Sequence, residues 1–112
     1  MPLHIAYLCH KGVRITKDYT NEGKNHAEAR CIANETKCIS KYRIYQLELV
    51  VTRTHGENYQ ESKPCMHCIH IIKRTCKIKK ITYSTVAGLV SESVLYIDTS
   101  HVSLGNRKGK RI

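Results

Sequence analysis

The 112-residue chain contains no Trp and no Phe, and only two Pro. A core built without the two largest apolar aromatics has to rely on Ile, Leu, Val, Tyr and Cys. No apolar run approaches the roughly 20 residues that a membrane-spanning helix requires. Residues Met1-Pro2-Leu3-His4 lack the basic segment and apolar stretch of a secretory signal. These absences lead to the expectation of a protein that does not enter membranes and works in a cytoplasmic, reducing compartment. Acidic residues are also scarce: nine Asp and Glu stand against nineteen Lys and Arg, for a net charge of +10. The length fits one domain with a single core, expected over residues 1–104. A basic tail is expected over residues 105–112, carrying Arg107-Lys108-Gly109-Lys110-Arg111.

The six Cys could suggest a secreted disulfide framework, yet their spacing points elsewhere. Cys65 and Cys68 form a C-x-x-C preceded by Pro64, and His26-Ala27-Glu28 lies upstream. Two thiolates and one imidazole fill three corners of a zinc tetrahedron, leaving the fourth for water, as in catalytic rather than structural sites. Zinc brings the pKa of that water to about 7. Glu28, two residues from His26, is close enough to exchange protons with it while staying off the metal. A zinc ribbon would need a second close pair of ligands, and Cys31 and Cys38, seven apart, do not supply one. A redox C-x-x-C would leave His-Ala-Glu as coincidence. Cys9, Cys31, Cys38 and Cys76 sit in apolar stretches, where a reduced Cys packs as a small hydrophobe.

Periodicity predicts the order β-β-α-β-α-β-β. Residues Leu3 to Cys9 and Val13 to Tyr19 read as a hairpin turning at His10-Lys11-Gly12. A helix is expected from Asn25, in capping-box spacing with Glu28, to about Cys38, with Ala29, Ile32 and Ala33 on one face. Ile44 to Thr54 reads as a buried strand, His55 to Lys63 as a loop, and Pro64 as the start of a second helix. That helix sets Cys65, Ile69, Ile72 and Cys76 in one stripe. Ile78 to Thr85 and Ser93 to Ile97 complete the strands. Their connection is shorter than the dozen or so residues of a parallel crossover, so they should pair antiparallel.

With H-x-E followed by P-C-x-x-C, the chain resembles the zinc-dependent cytidine and deoxycytidylate deaminase superfamily, in the branch whose first ligand is His. The similarity extends over roughly residues 3 to 98. It implies an α/β three-layer fold with a mixed central sheet of about five strands, zinc held by His26, Cys65 and Cys68, and Glu28 as the acid/base. It also implies that Asn21 or Asn25 holds the sugar of a substrate, and that the protein is a homo-oligomer. Residue Ile69 departs from the small residue frequent after the second Cys of such proteins. An antiparallel final strand pair is similar to the free cytidine deaminases, whereas His as first ligand is similar to the deoxycytidylate and polynucleotide deaminases.

Charge is uneven along the chain: residues 1–62 carry a net +2 and residues 63–112 a net +8. Basic surface attracts phosphate, whether one on a nucleotide or many on a strand. The expectation is hydrolytic deamination of cytosine to uracil on a free nucleoside or nucleotide. Cytosine or adenine in single-stranded nucleic acid, approached through the basic C-terminal half, is the alternative. A noncatalytic zinc-stabilised binding module is a third reading, for which a carboxylate at position 28 has no use. His101 and Ser103 have no diagnostic spacing, and His55, His67 and His70 read as surface or packing residues.

Overall fold

The computed structural model of the chain describes residues 2–97. Its elements are β1 (Pro2–His10), β2 (Val13–Arg14), β3 (Tyr19–Thr20), α1 (Ala27–Asn34), α2 (Thr36–Ser40), β4 (Leu47–His55), β5 (Asn58–Gln60), α3 (Met66–Thr75), β6 (Ile78–Thr85) and β7 (Gly88–Ser93). They form one mixed seven-stranded sheet with the main order β2-β1-β4-β6-β7, where β3 also pairs with β1 and β5 with β4. Strand β1 runs antiparallel to β4 over its whole length, β4 is parallel to β6, and β6 is antiparallel to β7 as expected. Among the described residues no helix is long and apolar enough to cross a membrane.

Alternation along the strands decides which face is covered. Ala6 and Leu8 on β1, Leu47, Leu49 and Val51 on β4, and Ile81 and Tyr83 on β6 are all buried in one cluster. Helices α1 and α3 touch each other and cover this face, contributing Ala27, Cys31, Ile32, Ile69 and Ile72 to the same core. Each fully buried Leu or Ile there stabilises the fold by about 1.5–3 kcal/mol. The described helices thus make a second layer on the sheet, not the second and third layers of a three-layer sandwich.

Strand count and order also differ from the expectation. Where one strand was expected from Val13 to Tyr19, only the short β2 and β3 form. The supposed loop from His55 to Lys63 contains β5, turned back by Gly56 at φ +64°. The last strand is Gly88–Ser93 rather than Ser93–Ile97, because Thr85 and Gly88 close a two-residue turn at Val86-Ala87. Leu89 and Val90 on this strand are exposed, so they carry no buried periodicity. Val94 is buried from a turn and Ile97 from the residue that follows it.

The first predicted helix breaks at Glu35 into α1 and α2. Its buried face is Ala27, Glu28, Cys31 and Ile32, not Ala29 and Ala33. Ile44 is exposed and precedes β4. Cys76 leaves the stripe of α3: it is exposed and closes the helix at φ +60°. The tail over 105–112, together with His101 and Ser103, lies outside the described residues.

Candidate metal centre and adjoining cavity

His26 and Cys65 occupy equivalent places, the N-caps of α1 and α3, and Cys68 lies in the first turn of α3. The contact between the two helices brings these starts together. His26 Nδ1 is 3.1 Å from Cys68 Sγ and 3.7 Å from Cys65 Sγ, and one donor atom from each residue falls within 4.8 Å of the others. A tetrahedral zinc with ordinary bond lengths separates its ligand atoms by about 3.5–3.8 Å. Two thiolates and an imidazole are a donor set suited to zinc, so the residues fit such an ion.

Electrostatics support the same use. The hydrogen bond from Cys68, opposed by burial, brings the Cys65 thiol down to about 4, while that bond and burial push Cys68 upward. Both lie at the positive end of α3, which favours thiolate.

Glu28 is the second residue of α1 and only 2% exposed. Burial raises its carboxyl to about 7, against the lowering effects of its own backbone N–H and the charge of His26. Its Oε1 is buried without a hydrogen-bond partner. An unpartnered buried carboxylate oxygen is costly, and a carboxyl so perturbed is a candidate functional group.

Beside Glu28 stands a residue that sequence patterning passed over. His4 Nε2 is 3.6 Å from Glu28 Oε1, and it too is buried without a partner. His4 lines a cavity of about 460 Å³ together with Leu3, Thr20, Asn21 and Arg53. Burial, reinforced by the charges of His26 and Arg53, lowers the His4 imidazole to about 4. Its parity on β1, matching Ala6 and Leu8, was the available signal, since a His on the core-facing side of a strand is unusual.

The two candidate sugar-binding residues separate. Asn21 faces the cavity, and its Oδ1 accepts the Ala27 N–H at 2.7 Å. It thereby satisfies the first amide of α1, the role sequence spacing gave to Asn25. Asn25 is exposed and exchanges backbone hydrogen bonds with Glu22, beside a different depression. His55, His67 and His70 are exposed. No protein-family model matches the chain, and no curated protein matches it.

Proposed function

We propose that the chain is a zinc-dependent hydrolase of the cytidine-deaminase type, converting cytosine to uracil with release of ammonia on a free nucleoside or nucleotide. His26, Cys65 and Cys68 would hold the ion, which when bound supplies an activated water at neutral pH. The observation that carries the reading is Glu28: a buried carboxylate with a free oxygen, two residues beyond His26 and outside the cluster of ligands. Raised to about 7, it can accept a proton and return it within one catalytic cycle near neutrality. The resemblance in H-x-E and P-C-x-x-C assigns the same task to the same residue.

The cavity next to this cluster is lined by His4 and Asn21, not by Glu28 or the three ligands, and its size suits a small substrate. Its volume lies within the range of small-molecule pockets, roughly 300–1,000 Å³. Among the described residues Arg53 is the cation on its lining, which suits a single phosphate. A strand-binding groove would instead track several phosphates.

The test is ammonia release by the zinc-loaded protein from cytidine, deoxycytidine, their monophosphates, adenosine, guanine and short single strands. Glu28→Gln should retain zinc and fold while losing about 10²- to 10⁴-fold in turnover. Equal rates for the two proteins on the best substrate would reject the mechanism. Silence of the wild type on every base would leave the binding module as the better reading.

A further inference from the structure

We propose that His4 is a positioning residue for Glu28, held by Asn21 in the tautomer that carries its proton on Nε2. Asn21 Oδ1 is committed to the Ala27 N–H at 2.7 Å, so the other end of the amide, a donor only, is the end that faces His4 Nδ1 at 3.3 Å. Nδ1 must therefore accept. In a neutral imidazole the proton then sits on Nε2, the nitrogen that approaches Glu28 Oε1 at 3.6 Å.

That separation is just outside hydrogen-bond range, and neither atom has another partner. Catalytic hydrogen bonds are often long before the complex forms and shorten within it. Asn21 thus acts on Glu28 by two routes. It fixes the start of α1 at the residue preceding Glu28, and through His4 it points an N–H at the carboxylate. The role rests on the reading of Glu28 as the proton carrier, while its geometric content stands apart from turnover.

The experiment combines spectroscopy with kinetics on the full zinc-loaded chain. Nitrogen-15 NMR of the His4 ring should show the proton on Nε2, and Asn21→Ala should release the ring to a mixture of tautomers. The side-chain carboxyl carbon of Glu28 should shift in His4→Phe and shift less in His4→Gln, whose amide can still donate. Turnover should follow: His4→Phe loses about 10- to 100-fold in kcat, and His4→Gln recovers part of it. Should His4→Phe fail to fold, Asn21→Ala reports the same lock from an exposed position. A proton on Nδ1, or a Glu28 carboxyl indifferent to both His4 variants, overturns the proposal even if the wild type deaminates cytosine. The predicted tautomer and carboxyl shifts in a protein without turnover would instead uphold the positioning and sink the deaminase reading.

Discussion

Burial and chemistry pull against each other at Glu28. A carboxyl that titrates near 4.5 in the unfolded chain and about 7 in the fold holds its proton more tightly when folded. Its contribution to stability is therefore fully present below pH 4.5 and lost as pH rises through 7. Glu28→Gln carries no such charge. In chelator-treated protein the variant should gain on the wild type between pH 5 and 8, by an amount approaching about 3 kcal/mol at the upper end. Urea unfolding across that range measures it. A difference that stays flat with pH would show that the carboxylate is solvated after all.

At the scale of elements, the two helix starts explain both what the sequence disclosed and what it concealed. Ligand spacing is local chemistry, so His26, Cys65 and Cys68 were legible without any fold. Their convergence was legible too, because each falls where a helix begins after a strand. Breaks and turns were not, since they depend on single backbone conformations: Glu35 splits the first helix with unremarkable residues on either side, and Val86-Ala87 makes a turn without a turn-forming sequence. The capping contact of Asn21 was hidden because it spans six residues, beyond the three that a capping box considers.

The cysteines provide the corresponding test. Cys76 sits at φ +60°, where a side chain costs about 1–2 kcal/mol and Gly is favoured. Cys76→Gly should therefore stabilise the protein by about 1 kcal/mol and leave zinc content at one ion per chain. Combined Cys65→Ala and Cys68→Ala should abolish zinc binding, and with it the stability that ligation adds to the fold. Metal analysis beside thermal unfolding separates the two classes. Retained stoichiometric zinc in the double variant would refute the ligand assignment.

For the whole molecule, the question is whether the charge serves the site. Helix α3 begins at the His26, Cys65 and Cys68 cluster and runs for ten residues, so Lys73 and Arg74 sit in its last turn, at the end away from the cluster. Lys63 is nearer the start of α3 but is paired with Glu92 at 3.3 Å. Among the described cations, Arg53 alone lines the cavity beside Glu28. Charge read by halves of the sequence did not separate one phosphate from many, and in the fold Lys73 and Arg74 stand at the far end of α3. A substrate with one phosphate should therefore show a shallow dependence of kcat/KM on salt. A single strand spanning several contacts would lose affinity with a logarithmic slope of about 0.7 per phosphate. Arg53→Gln should lower kcat/KM for a nucleoside monophosphate more than for the nucleoside, and Lys73→Ala with Lys77→Ala should change neither. If activity requires a strand, collapses between low and physiological salt and depends on the distant lysines, the substrate is a polynucleotide and the cavity holds only its target base.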